Sequence, residues 1–332
     1  MKVYVLHENP EWYAPFAAAF DAEGIEHEQW LLGDGSLDLD VPPPPGVYWS
    51  RASASAHTRG HGYAKDHGRA VLSWLEAWGR TVVNGRRVLE LEMSKVDQLT
   101  ALRAAGFDVP ATVAVVGTDE LVAVADKMAA PFITKHNQGG KGLGVRKFDT
   151  VAALAKYAAS DEYEAPVDGI TLLQEFVESA EPFITRVEVA GGEFLYALTA
   201  DTERGGFELC PADACSIAPV SCPADGPGTS GPESGAESDP AAEPSLFALR
   251  PDFDHPIVER YLAFAAKHGI GVAGFEFIET ADGRTVTYDV NTNTNYNADV
   301  EASAPRSGAR QIARYLGRLL AEERAEAEAG DR

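Results

Sequence analysis

The chain has little cysteine, a deficit of basic residues and no long apolar run. Its 332 residues include three cysteines, Cys210, Cys215 and Cys222. That is too few for a disulfide-stapled secreted scaffold and fits a reducing, cytoplasmic compartment. Their spacing, CxxxxC and then six intervening residues, lacks the CxxC arrangement of structural zinc. Packing, or the lining of an acceptor pocket, is the expected use of these thiols, ahead of a nucleophilic or redox role. Lysine and arginine number 28 against 51 aspartates and glutamates, a formal net charge of −23. An excess of that sign repels phosphate backbones and anionic lipid, so neither nucleic acid nor a membrane is an expected partner. No segment approaches the roughly 18 apolar residues of a membrane span. The opening MKVYVLHENPEW turns polar at His7 and Glu8 and reads as a first strand, not a signal peptide. The Gly-rich segment at 139–144 matches neither GxxxxGK[ST] nor GxGxxG, so neither the P-loop nor the Rossmann reading is supported there.

What is present is an alternation of strands and helices across a length that suits two domains or one composite. Lys2 to Leu6 predicts a strand, and Asn9-Pro10 a helix start carrying Trp12, Phe16 and Phe20 at helical spacing. Residues 1–92 form a small α/β unit. Ser94-Lys95-Val96-Asp97 reads as a capping-box-like helix start, with Asp in place of Glu or Gln. Residues 93–175 carry strands at 112–116 and 132–136, then a Gly-rich segment. Residues 176–325 carry two hairpins and a final amphipathic helix with Ile312, Leu316, Leu319 and Leu320 on one face. The stretch 223–245 has almost no apolar residue and is expected to be a flexible insertion. The expected fold class is α/β with α+β elements.

The strongest constellation is GVAGFEFIETADGRTVTYDVNTN, residues 271–293. Asp282-Gly283 predicts a two-residue hairpin turn. Counting outward from it sets Glu276 opposite Asp289, with Asn291 on the same face. Phe275, Phe277, Val286, Tyr288 and Val290 are then expected in the core and Thr287 on the polar face. Two opposed carboxylates destabilise a sheet unless something compensates. A hard divalent cation with oxygen ligands does so, and magnesium needs few protein oxygens because it shares substrate phosphates. A solvated edge hairpin is the plain alternative. In PFITKHNQGGKGLGV, residues 131–145, Lys135 ends a strand before Gly139, Gly140, Lys141, Gly142 and Gly144. Such glycines let backbone N–H groups approach phosphate oxygens; a plain flexible turn carries the same pattern. Lys95 and Arg186 look ordinary alone, the latter as a solvated ion pair with Glu188. Arg51 lies in YWSRASASAHTRGHGYA after a strand end, where α/β folds face ligand crevices. It is the candidate for gripping a substrate carboxylate.

The order of these parts resembles the ATP-grasp superfamily, and within it the amino-acid ligases related to the enzyme that adds glutamate to a ribosomal protein. The resemblance covers about residues 90–320. It implies an ATP-grasp fold behind an N-terminal pre-ATP-grasp α/β domain, with ATP and Mg2+ as cofactors and Mn2+ as an alternative ion. It places Lys95 and Lys135 on ATP phosphates under the 139–144 loop. It makes Gln174, Glu175, Phe176 and Val177 the adenine hinge, and Glu276, Asp289 and Asn291 the metal ligands. Arg186 faces the transferred phosphate and acyl group. Ile184 stands where relatives carry a ribose-side acid, for which Glu181 or Glu178 substitutes. The usual Asn-x-Asn/Ser-Pro-Gly ending becomes Asn291-Thr-Asn293-Thr-Asn295-Tyr-Asn297 where acyl and amine substrates sit, and only Arg204 is basic in TERGGFELCPADAC. These departures put glutamate itself in question. The implied activity is ligation of a carboxylate to an amine through an acyl-phosphate, yielding an amide, peptide or γ-glutamyl bond from small amino-acid or peptide substrates. A small-molecule kinase and a non-catalytic ATP-binding module stay open as alternatives. Relatives are commonly dimers or tetramers, and a homodimer is the implied assembly.

Overall fold

The strand–helix alternation builds three sheets in a computed structural model that describes residues 1–140, 142, 144–206 and 245–330. Lys141, the three cysteines and all of the 223–245 stretch but Ser245 lie outside the described residues.

The first sheet holds β1 (Lys2–His7), β2 (His27–Leu31), β3 (Gly46–Ser50) and β4 (Thr81–Val83), all parallel in the order β2-β1-β3-β4. Helix α1 (Pro10–Ala22) starts where Asn9 accepts from the Glu11 N–H and Pro10 sits in the first turn. Helix α2 (Ala64–Ala77) covers the opposite face, and α3 (Arg86–Met93) leads out of the unit. Alternation along β1 sends Val3 and Val5 to one core and Tyr4 and Leu6 to another, as a parallel sheet buried on both faces requires.

Helix α4 (Lys95–Ala104) begins where the Ser94 hydroxyl accepts from the Asp97 N–H. The second sheet holds β5 (Thr112–Val116), β6 (Phe132–His136), β7 (Arg146–Phe148) and β8 (Ile170–Glu175), antiparallel in the order β5-β8-β6-β7. Helices α5 (Asp119–Ala125) and α6 (Val151–Ala158) set Leu121, Ala125, Leu154 and Tyr157 against Val115, Phe132, Phe148 and Leu173.

The third sheet holds β9 (Phe183–Ala190), β10 (Glu193–Asp201), β11 (Phe247–Leu249), β12 (Val272–Glu279) and β13 (Thr285–Asn291), ordered β11-β10-β9-β12-β13. Helices α7 (Thr202–Gly205), α8 (Ile257–His268), α9 (Ala298–Ser303) and α10 (Gly308–Gly330) complete the chain. One face of this sheet packs on α8 and α4 through Phe275, Phe277, Tyr261, Phe264 and Leu102. The other shares a core with the first unit: Ile184, Leu198, Ile312 and Leu316 join Val3, Phe16, Val47 and Trp49. Among the described residues no helix is long and apolar enough to cross a membrane.

The β12–β13 hairpin departs from the expected turn. Thr280 and Arg284 close a three-residue loop, 281–283, with Gly283 in the left-handed region at φ 85°. That slides the near register by one residue, pairing Phe277 with Thr287. A β-bulge between Glu276 and Phe277 restores the count, and Glu276 faces Asp289. The two one-residue errors cancel at the carboxylates and not between them. Thr287 is therefore buried, bonded to the Tyr261 hydroxyl at 2.7 Å, and Tyr288 turns away from the core assigned to it from the sequence.

Candidate functional site

The second and third sheets face each other across a cavity of about 380 Å³. Lys95, Ile133, Lys135, Gly139, Gly140 and Gly142 line one side, with Glu276, Ile278, Tyr288, Asp289 and Asn291 opposite. The end of β8 supplies Gln174, Glu175, Phe176 and Val177.

The three expected metal residues converge. Asn291 donates its amide to Glu276 Oε1 at 3.1 Å, and Glu276 and Asp289 are cross-strand partners. Among the described residues no group of three His, Cys, Asp or Glu side chains converges on a metal position. Two carboxylates and one amide oxygen suit an ion that completes its shell with water and phosphate oxygens, which is the habit of magnesium. The donor set is all hard oxygen, so the residues fit that ion.

Cations already neutralise these acids. The Lys95 ammonium contacts Asp289 Oδ1. Burial opposes its charge, but the Asp289 carboxylate prevails and holds its pKa above the usual lysine value. Asp289 in turn stays below its ordinary value: burial would raise it, and Lys95 and Lys135 overcome that. Lys135 lacks so close a partner, and burial lowers its pKa to about 8. Its ammonium sits 5.6 Å from the centroid of the Tyr288 ring.

Arg186 is not the solvated pair that its spacing to Glu188 suggests. It is 4% exposed, and Glu188 is 0% exposed. Its Nε donates to Glu188 Oε1 at 2.5 Å, one terminal nitrogen to Glu276 Oε1 at 2.9 Å, and the other to the Thr294 hydroxyl at 2.5 Å. Gly274 makes room for it: a Cβ there would lie 2.6 Å from the guanidinium. Arg186 thus ties Glu276 to the segment that carries the last asparagines.

In the Gly-rich loop Gly142 and Gly144 have φ of 73° and 66°. A Cβ on Gly144 would fall 2.1 Å from the His136 ring, so glycine is required there on two grounds. The hinge side chains are engaged elsewhere. Gln174 donates to the Thr112 hydroxyl at 2.8 Å, and Glu175 accepts from Arg284 and from the Ala111 N–H. What the hinge offers the cavity is backbone and the Phe176 and Val177 side chains.

Among the described residues six expected ones do not line the cavity: Arg186, Gly144, Glu181, Arg51, Asn293 and Asn295. Glu181 is exposed and does not line it; Ile184, Ser179 and Thr202 do. Arg51 does not open to a ligand. It is 2% exposed, lies over the Phe16 and Trp49 rings, and donates to Trp12 O, Thr294 O and Asn295 Oδ1 at 2.9–3.0 Å. It clamps the 294–295 segment to the first unit and takes up Asn295. The buried Asn293 Oδ1 has no hydrogen-bond partner. Tyr288, Thr202 and Ile278 were not expected at the cavity. The Tyr288 hydroxyl donates to Glu276 Oε2 at 2.8 Å, and the one-residue register shift set by the three-residue loop puts it there.

No family model matches the chain, and no curated protein matches it. Solved structures do. A RimK domain ATP-grasp protein from Sphaerobacter thermophilus aligns at TM-score 0.62 and 16% identity, over 95% of this chain and 99% of that one. The ATP-grasp ligase PsnB, complexed with minimal precursor, Mg and ADP, aligns at 0.61 and 16%, over 95% and 96%. D-cycloserine synthetase DcsG aligns at 0.60 and 16%, over 96% and 99%.

Proposed function

From the ATP-grasp fold that this chain adopts, we propose that it is an ATP-dependent, magnesium-requiring ligase joining a carboxylate to an amine with release of ADP and phosphate. One observation carries the reading. Lys95, Lys135 and the Glu276–Asp289–Asn291 set line a single cavity beside a Gly-rich loop, with Arg186 bonded to Glu276 behind them. PsnB, whose structure contains Mg and ADP, shares that fold.

Bound magnesium would neutralise phosphate oxygens and bound ATP would donate the γ-phosphoryl group. Glu276, Asp289 and Asn291 would hold the ion. Lys95 leaves Asp289 for the phosphates, and Lys135, already short of a close counter-ion, takes up its full charge beside them. Arg186 stays fixed by Glu188 and presents its charge where an acyl-phosphate oxygen develops. The Gly-rich loop supplies N–H groups and keeps water from that acyl-phosphate. The substrate carboxylate would accept the γ-phosphoryl group as ADP leaves, and an amine would then displace phosphate from the acyl-phosphate, giving up a proton as the amide forms. Positioning and charge account for the rate, so no side-chain nucleophile is needed.

The substrates we assign are amino acids or peptides, with a γ-glutamyl bond as one product class. Neighbours of this fold include a ligase with a precursor and a small-molecule synthetase. The test is ADP release with magnesium and ATP over amino acids and peptides, singly and in pairs. Release that needs both partners supports ligation. A phosphorylated product formed without an amine would favour a kinase.

A further inference from the structure

We propose that Tyr288 is a positioning residue that fixes the metal carboxylate Glu276 with its hydroxyl and the Lys135 ammonium with its ring face. The inference rests on the ligase reading and adds a residue to it.

The two carboxylates of the hairpin are held differently. Asp289 receives Lys95 and the Val290 N–H on one oxygen, Oδ1. Glu276 receives donors on both. Arg186 and Asn291 reach Oε1 at 2.9 and 3.1 Å, and Tyr288 reaches Oε2 at 2.8 Å. Three donors on three residues leave the Glu276 plane no freedom to rotate. One acceptor site remains for an ion, on Oε2, because a carboxylate accepts about four bonds.

The character of the third donor matters. A phenol is neutral, so it orients Glu276 without cancelling its charge. An ammonium at that place would compete with the metal, as Lys95 does on Asp289. Loss of Lys95 to the phosphates leaves Asp289 with a backbone donor alone, whereas Tyr288 remains on Glu276. The other end of the contact is the ring, whose face lies toward Lys135 Nζ at 5.6 Å. A cation over an aromatic face is attracted most where water is scarce, and Lys135 is such a case. One side chain therefore touches both the metal half and the phosphate half of the cavity.

Its placement follows from the register that the three-residue loop sets, and the bulge then keeps Asp289 on the same face. Regular alternation after Thr287, which is buried against Tyr261, would put Tyr288 on the cavity face and Asp289 back in the core. The extra residue lets Tyr288 and Asp289 both oppose Glu276.

Two variants separate the two contacts. Tyr288→Phe keeps the ring and loses the hydroxyl; Tyr288→Leu loses both. Mn2+ binding to the protein–ADP complex is followed by electron paramagnetic resonance. ADP affinity at saturating Mn2+ is followed by calorimetry. Tyr288→Phe is expected to weaken Mn2+ about tenfold, the usual scale for an outer partner of a ligand, and to change ADP affinity less than about twofold. Tyr288→Leu is expected to show the same metal loss and a further loss of ADP affinity of about fivefold, from the lost cation–ring contact. Unchanged Mn2+ binding in Tyr288→Phe, with Glu276→Gln defective, overturns this inference and leaves the ligase site standing. Equal losses of Mn2+ and ADP in Tyr288→Phe also overturn it, as the mark of simple packing. Mn2+ binding that Glu276→Gln does not disturb, or none in the unaltered protein, overturns both readings.

Discussion

Glu276 and Asp289 are set face to face by strand pairing, an arrangement that repels unless cations hold it. Lys95 and Arg186 do so in the protein alone. Asp289→Asn should lower turnover about 100-fold or more, since neutralising phosphoryl charge is worth several kcal/mol, while the melting temperature falls because the buried Lys95 loses its partner. ADP release and a thermal melt on one preparation check this. Near-normal release would remove the metal assignment. Arg51 makes the opposite case. Its three carbonyl-type acceptors are stranded in Arg51→Ala, which should cost about 1–3 kcal/mol of stability; denaturant unfolding measures it. His7 supplies a pH signature. It is 2% exposed, and burial first, then the Arg51 charge, lowers its pKa from 6.5 to about 4. The unfolded chain therefore binds a proton that the folded one refuses between those values. Its contribution is complete above pH 6.5 and is lost as pH falls toward 4, roughly 3 kcal/mol in all. Unfolding of His7→Gln should be less pH-dependent than that of the parent over this window. Parallel curves would contradict it. At this scale the residue types were legible and their surroundings were not. Spacing put Arg186 and Glu188 on one face, but could not tell a solvated pair from a buried one, because that depends on which sheet face the core of the first unit covers.

Among the elements, the Gly-rich loop has little tolerance for change at Gly144. Gly144→Ala meets the His136 ring and a left-handed backbone together, with strain of about 1–3 kcal/mol. The loop should shift, ADP should bind more weakly, and paired calorimetry of Gly144→Ala and the parent shows it. Equal affinity would mean that the loop does not reach the nucleotide. Long, capped elements were legible: Asn9-Pro10 and Ser94 start α1 and α4 as their cap chemistry dictates. Helices α3 and α6, eight residues each, were not. Such short segments draw their stability from packing on distant strands, and α6 is half alanine, which marks no face. The hairpin was legible in its outcome through two compensating errors, and Tyr288 was the casualty.

Across the whole molecule, the first and last parts of the chain share one core. Trp49 and Phe16 pack with Ile312 and Leu316, so the N-terminal unit, which its sequence marks off as a domain at about residue 92, is not bounded in its packing. Leu316→Ala should therefore destabilise by about 2–5 kcal/mol and lower a single thermal transition. Two separated transitions would contradict the shared core. The continuity has a use in the proposed reaction: Arg51 and Arg186 both hold Thr294, joining the first unit to the β12–β13 hairpin across one residue. The measurement that bears most directly on the central claim is ADP and phosphate release with magnesium and ATP, across amino acids and peptides alone and in pairs, with product masses determined. Release that needs a carboxylate and an amine together, and yields a product of their summed mass less water, is the predicted result. Tight ATP binding with no release for any pair would contradict it.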